Sequence, residues 1–74
     1  MERTTYFVPN ADSPGRANII KDGISRLPGV LHVGVDIQER QVAVEYDEKI
    51  AHIDDVYEQL IRLGFAPQGG RRAA

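Results

Sequence analysis

The sequence predicts an α+β sandwich of element order β-α-β-β-α-β, in which two helices cover one face of a four-stranded antiparallel sheet. Two segments carry apolar residues at helical spacing, and between them lie two short segments with apolar residues at alternate positions. The chain has 74 residues, which is enough for one domain only. We therefore expect a single domain over residues 1–74, ordered from about residue 4 to residue 68, with residues 69–74 as a tail.

The first strand and the first helix are separated by a loop with clear stop and start signals. Residues 6–8 form a short β-prone run, which Pro9 and Asn10 end. Ser13 and Pro14 then begin a helix, because a serine hydroxyl can accept a bond from a free amide and proline has no amide hydrogen to leave unpaired. The apolar stripe of this helix consists of Ala17, Ile20, Ile24 and Leu27.

The middle of the chain predicts an antiparallel hairpin followed by a second helix. Apolar residues recur within residues 30–37 and alternate within residues 41–46, and the polar residues 38–40 suit a hairpin turn. The second helix has the apolar stripe Ile53, Val56, Leu60 and Leu63, and Gly64 ends it. Residues 65–68 can form a short last strand at the sheet edge. This order of elements is that of the ferredoxin-like fold.

The composition excludes several classes of protein. The chain has no cysteine, so disulfide scaffolds, thiol redox sites and thiolate metal sites are ruled out. Its net charge of −2 and its interspersed charges argue against a nucleic-acid partner. The longest apolar runs are a few residues, and the first residues do not form a leader, so we expect no membrane association and a cytoplasmic location.

Several short motifs share an order and spacing with a known family. They are Leu27-Pro28-Gly29-Val30 at the end of the first helix, Val42, Val44 and Tyr46-Asp47 in the third strand, and Gly64-Phe65 after the second helix. Over residues 6–67 the chain thereby resembles the heavy-metal-associated domains of copper chaperones. The resemblance implies the same fold, and docking of the metal loop and both helices against a matching domain of a partner such as a transporter.

The chain departs from this family at the residues with which the family binds metal. The family motif Met-x-Cys-x-x-Cys aligns with Ala11, Ser13 and Arg16. In that motif two thiolates hold Cu(I) or another soft ion, whereas here a neutral hydroxyl and a fixed cation stand in their place. Arg16 in the first helical turn also opposes the helix dipole and would repel a bound cation. We predict that the family's soft-metal site does not function in this chain.

The same loop remains a candidate site for other ligands. Its candidate residues are Asn10, Ala11, Asp12, Ser13 and Arg16, with Phe65 placed beside the loop by the resemblance. Free helix amides and the guanidinium could bind an anion or a carboxylate of a protein partner. The simpler interpretation is that Ser13 caps the helix, Asp12 favours its N-terminus, Arg16 is solvated and Phe65 packs in the core.

Three residues are weak candidates for metal ligands: Asp12, His32 and His52. Asp12 could bind a hard ion only with Asn10 and Ser13, and three oxygen ligands from one short loop are few for such an ion. The two histidines fall at the end of the domain opposite the loop and have no recognised metal-binding spacing. We rather expect His52 to be a helix cap and His32 to be an exposed strand residue.

The sheet face opposite the helices is predicted to be open to solvent or to a partner. By alternation it presents Thr5, Phe7, His32, Gly34, Ala43 and Glu45. Phe7 is its one large apolar side chain, so this face is a candidate for a weak homodimer.

The resulting expectation is a small non-catalytic binding module with a degenerate metal site, which docks a protein partner. No histidine, serine and carboxylate set indicates catalysis, and we expect no cofactor. The alternative is a heavy-metal, copper-type binding or transport protein that uses ligands other than cysteine.

Overall fold

The fold is a three-stranded antiparallel sheet with two helices on one face, as given by a computed structural model that describes residues 1–68. The elements are β1 (Glu2–Phe7), α1 (Pro14–Ser25), β2 (Val30–Asp36), β3 (Gln41–Tyr46) and α2 (Ile53–Arg62). The sheet order is β1-β3-β2, and both pairings are antiparallel. The predicted element order is therefore confirmed up to the second helix.

The first strand is longer than the sequence predicted. It begins at Glu2 rather than at Tyr6, because every residue of β1 has a partner in β3, from Glu2 opposite Tyr46 to Phe7 opposite Gln41. Val8 lies beyond the strand, yet it is fully buried and its amide donates to the carbonyl of Arg40 at 2.7 Å.

The fourth strand is represented by a single bridge within the described residues. The amide of Gln68 donates to the carbonyl of Phe7 at 2.8 Å, and the two residues form an antiparallel bridge. Residues 65–67 are not in strand conformation, and Pro67 has no amide hydrogen to offer to a sheet. The tail predicted for residues 69–74 lies outside the described residues.

The core lies between the sheet and the helices. Alternate residues of β1 and β3 face the helices, Val33 of β2 joins them, and the two predicted helix stripes pack against this set. Its largest fully buried side chains are Tyr6, Val8, Ile20, Ile24, Val42, Val44, Val56 and Leu60. Tyr57 packs against this core, with its ring centroid 6.1 Å from that of Tyr6, whereas Ile61 is exposed.

No helix within the described range of residues 1–68 is long and apolar enough to cross a membrane.

Candidate functional site

The candidate loop joins β1 to α1 at the end of the sheet where Phe7 pairs with Gln41. Two backbone bonds hold it. The amide of Val8 donates to the carbonyl of Arg40, and the amide of Ala11 donates to the carbonyl of Val8 at 2.9 Å. The loop is thus tied both to itself and to the β2–β3 hairpin, which sets the position at which α1 begins.

Ser13 is the N-cap of α1, as the sequence predicted. Its backbone is extended (φ −147°), and its Oγ accepts a hydrogen bond from the amide of Arg16 at 3.3 Å. Pro14 occupies the first helical position, where its missing amide hydrogen costs no bond. The hydroxyl at the first cysteine position of the family motif therefore caps the start of α1.

Arg16 is paired rather than free. Its Nη1 donates to Oδ1 of Asp12 at 3.1 Å, four residues earlier in the chain, and both side chains are about half exposed. An exposed pair of this kind contributes only about 0.2–1 kcal/mol to stability. Its chemical consequence is larger, because the carboxylate that could have bound a cation already carries a guanidinium.

Two of the six predicted loop residues do not face solvent. Ala11 is fully buried and Phe65 is nearly so, and both belong to the core cluster. Ala11 is therefore corrected from a surface residue of the loop to a core residue that anchors it. For Phe65 the core alternative holds. Asn10, Asp12 and Arg16 are exposed and Ser13 is half-buried, so these four residues form the accessible part of the loop.

The two histidines lie at the end of the domain opposite the loop, as predicted, but in different layers. His32 is in β2 opposite Glu45 and is exposed on the open sheet face. His52 is the N-cap of α2, in the helix layer, and its backbone amide donates to Oδ2 of Asp55 at 3.3 Å. Within residues 1–68 there is no group of three or more histidine, cysteine, aspartate or glutamate side chains that could hold a metal ion.

One exposed apolar residue beside the loop was not identified from the sequence. Ile19 is half exposed on α1, three residues after Arg16 and four before Gly23. Gly23 is buried where the side chain of Leu63 packs closely against α1, and residues four apart share a helix face. Ile19 therefore lies between Arg16 and the helix crossing. The sequence did contain a signal for this: Ile19 is apolar but lies outside the apolar stripe of α1, so it could have been predicted to be an exposed apolar residue.

Comparison with known proteins gives the same fold and family. The chain is 28% identical over 68 residues to a copper-transporting ATPase of Helicobacter felis, covering 92% of this chain and 9% of the ATPase. It thus spans about one tenth of the length of that relative.

Two solved structures have closely similar folds. A putative copper-ion-binding protein of Bacillus anthracis has a TM-score of 0.84 at 25% identity, with 90% of this chain and 94% of that chain covered. Oxidized MerP of Ralstonia metallidurans has a TM-score of 0.85 at 21% identity, with 96% of each chain covered.

The family match covers most of the chain. Residues 5–66 match the heavy-metal-associated domain, a range that contains both helices, β2, β3 and the second half of β1. The sheet order, the loop before α1 and the motifs around Gly29 and Gly64 all fall within this match. The chain belongs to the heavy-metal-associated domain family.

Proposed function

We propose that this chain is a non-catalytic binding module of its family, which docks a protein partner and holds no soft metal ion at its loop. The observation that carries the proposal is the pair Ser13 and Arg16 at the two cysteine positions. Ser13 caps α1, and Arg16 is bonded to Asp12. Arg16 has no lone pair to offer a cation, and the Ser13 hydroxyl is a weak, neutral ligand that already accepts one hydrogen bond.

The chemistry of soft ions supports the loss of metal binding. Cu(I) prefers thiolate and thioether ligands, and the chain contains no cysteine and a single methionine. The helix N-terminus that favours a thiolate pair here carries a guanidinium in its first turn. A cation at this point would meet positive charge from both the helix and Arg16.

The exposed side chains of the loop support a role in docking. Asn10, Asp12 and Arg16 offer hydrogen-bonding and charged groups, and Ile19 adds a half-exposed apolar side chain beside them. An apolar anchor within a polar rim is the usual composition of a protein interface. The partner that we propose is a domain of the same family, such as the segment of a copper-transporting ATPase that aligns with this chain.

The absence of soft-metal binding is tested by introducing cysteines at the two positions of the family's metal-binding motif. We expect the unmodified chain to take no Cu(I) from a chromophoric chelator under anaerobic conditions. The double variant Ser13→Cys/Arg16→Cys should take one Cu(I) per chain, because the fold already presents these positions at the start of α1.

A matched control separates chelation from the mere presence of thiols. Ser25→Cys/Gln38→Cys places two exposed thiols at the end of α1 and in the β2–β3 turn, where they cannot share one ion. Uptake of Cu(I) by the unmodified chain, with amide shifts at residues 12–16, would contradict the proposal. Amide shifts at His32 and His52 with Zn(II) or Ni(II) would instead support metal binding through ligands other than cysteine.

The docking part is tested by titrating the labelled chain with the aligned ATPase segment. We expect amide shifts at Asp12, Arg16 and Ile19, and their loss in Arg16→Glu. The matched control is Arg26→Glu, since Arg26 forms an equivalent exposed pair with Asp22 at 3.0 Å, at the other end of the same helix. Equal losses in the two variants, or shifts confined to other surfaces, would refute docking through the loop.

A further inference from the structure

The open face of the sheet is an ordered grid of side chains. β1 pairs with β3 in register throughout, and β2 pairs with β3 in register from His32 to Asp36, after an irregularity between Val30 and His32. Over this range the face consists of three rows that run across the strands. The first row is Phe7, Gln41 and Asp36, the middle row is Thr5, Ala43 and Gly34, and the third row is Arg3, Glu45 and His32. All of these residues are exposed or half-buried, whereas the alternate residues of β1 and β3 are mostly buried against the helices.

The grid has a raised part and a recessed part. Thr5, Ala43 and Gly34 carry small side chains or none, and they form the floor of a shallow groove of about 510 Å³. Phe7 is not part of the groove lining; it lies opposite Gln41 in the first row, with 46% of its surface exposed.

The charges of the face are not paired with one another. In the part of the chain that the structure describes, the ion pairs join Met1 to Glu48, Arg16 to Asp12, and Arg26 to Asp22. Arg3, Glu45 and Asp36 take part in none of these pairs, although all three lie on the open face. Asp36 accepts one local bond, from the amide of Glu39 to its Oδ1 at 3.1 Å. Within residues 1–68 its Oδ2 accepts no hydrogen bond, so the first row keeps an acceptor.

We propose that this face binds a second copy of the chain, sheet to sheet, about a two-fold axis that runs along the middle row. This rotation keeps each strand above its own counterpart and reverses its direction. The first row of one copy therefore faces the third row of the other. Phe7 faces Arg3 of the second copy, Gln41 faces Glu45, and Asp36 faces His32.

Each of the three facing pairs is chemically complementary. A guanidinium over an aromatic ring is attractive, more so when it is desolvated. The Gln41 amide can donate to the Glu45 carboxylate, and a ring N–H of His32 can donate to the Asp36 carboxylate. The middle rows meet their own copies with small side chains, which allows the sheets to approach to the ordinary packing distance of about 10 Å.

The other two-fold rotation within this plane is disfavoured by the same charges. An axis along the strands would exchange β1 and β2 across the interface. It would place Arg3 over His32 and Phe7 over Asp36, which opposes donors to donors and a carboxylate to an aromatic face. The charge pattern therefore selects the axis that runs across the strands.

The small size of the face limits the strength of the dimer. Three strands about 4.8 Å apart, with side-chain rows about 7 Å apart, give a face of roughly 300 Å² per copy. A stable interface usually buries about 800 Å² per partner. The association is accordingly weak and concentration-dependent.

The first experiment measures association of the 74-residue chain from about 10 μM to about 1 mM, a range that brackets weak dissociation constants. We expect the mass from sedimentation to rise above 8.2 kDa towards twice that value, with concentration-dependent amide shifts on the three rows. A mass that stays at that of the monomer would overturn the proposal, as would shifts confined to the helices.

Phe7 and Ile61 provide a matched pair of variants, because each is 46% exposed. Phe7→Ser should weaken association at least about tenfold, whereas Ile61→Ser on α2 should leave it unchanged. Equal effects of the two substitutions would contradict a dimer through the sheet face.

A charge exchange tests the orientation of the two copies. Asp36→Lys alone removes the acceptor for His32 and opposes donor to donor, and His32→Asp alone opposes two carboxylates, so each variant should associate at least about tenfold more weakly. An equimolar mixture of the two should recover the association, because Lys then faces Asp and His32 faces Asp36. Amide spectra verify that both variants fold, since Asp36→Lys also loses its bond to Glu39. Failure of the mixture to associate would refute the proposed axis.

Discussion

At the scale of single residues, Ser13 holds the start of α1 in place of a metal ligand. Its Oγ satisfies the Arg16 amide, which would otherwise be a free donor of the first helical turn. We predict that Ser13→Ala lowers the free energy of unfolding by about 1 kcal/mol, and that Ser13→Gly lowers it by only a few tenths. Urea denaturation measures both changes.

The control for Ser13 is the serine at the other end of the same helix. Ser25 is exposed, and its hydroxyl donates to the carbonyl of Asp22 at 3.0 Å, a group that solvent can also satisfy. Ser25→Ala should therefore cost less than Ser13→Ala. Equal losses would mean that the cap contributes nothing specific.

Thr4 is a residue at which the chain retains an unfavourable group. It is buried on the helix-facing side of β1, and its Oγ1 has no hydrogen-bond partner within residues 1–68. Replacing an unsatisfied buried hydroxyl by a methyl group of the same shape removes a desolvation cost. We predict that Thr4→Val raises the free energy of unfolding by about 1 kcal/mol.

Thr5 supplies the comparison for this change, since it is the neighbouring residue on the open face and is only half-buried. Thr5→Val should have an effect close to zero. A loss of stability in Thr4→Val, measured by the same denaturation, would show that the hydroxyl is satisfied after all.

At the scale of elements, substitutions at the two glycines that follow the helices allow the cost of backbone strain to be distinguished from the cost of steric crowding. Gly29 and Gly64 have φ of +91° and +90°, a conformation that residues with side chains rarely adopt. A Cβ at Gly29 would also lie 2.9 Å from the backbone nitrogen of Ala51, whereas a Cβ at Gly64 would meet no atom within 4 Å.

The two alanine variants should therefore differ in cost. We predict a loss of about 1 kcal/mol for Gly64→Ala from strain alone, and a loss of about 2 kcal/mol or more for Gly29→Ala, because there the loop before α2 must also move. Thermal unfolding of both variants measures the difference. Similar losses would show that the segment around Ala51 yields easily.

The elements themselves differ in how far the sequence predicted them. The helices were predictable because Ser13-Pro14 and Gly64 mark a boundary locally and the stripes repeat within a few residues. The start of β1 was not, because Glu2, Arg3 and Thr4 have no alternating apolar pattern and become a strand only by pairing with β3, some forty residues away. The sequence predicted a strand over residues 65–68, yet among these four residues only Gln68 forms a bridge to β1.

At the scale of the whole molecule, the fold rests on its apolar core. The core joins all five elements through residues that are fully or nearly fully buried. We predict that chelators and Cu(I) leave the melting temperature of the unmodified chain unchanged, since only a ligand that binds the folded state shifts it.

The variant Ser13→Cys/Arg16→Cys should behave differently. With Cu(I) in about hundredfold excess over its dissociation constant, its folded state should gain about 2.7 kcal/mol. A melting temperature that rises with Cu(I) in the unmodified chain would show a metal site that the loop geometry does not provide.

The candidate site was predictable in its chemistry and not in its contacts. The absence of cysteine and the presence of Ser13 and Arg16 at the motif positions were evident from composition and spacing. Asp12 and Arg16 are close in the chain, but the burial of Ala11 between exposed neighbours accompanies the bond that ties the loop to the hairpin at Arg40. That bond joins residues whose order in the chain says nothing of their distance.

The sequence by itself thus determined the element types, the family and the loss of the thiolate ligands, because periodicity, turn residues and composition are local properties. The tertiary structure decided which side chains the loop leaves accessible and how Phe7, Asp36, Arg3 and His32 align in rows on the open face. Strand register sets those neighbours, and register depends on the pairing of segments that are distant in the chain.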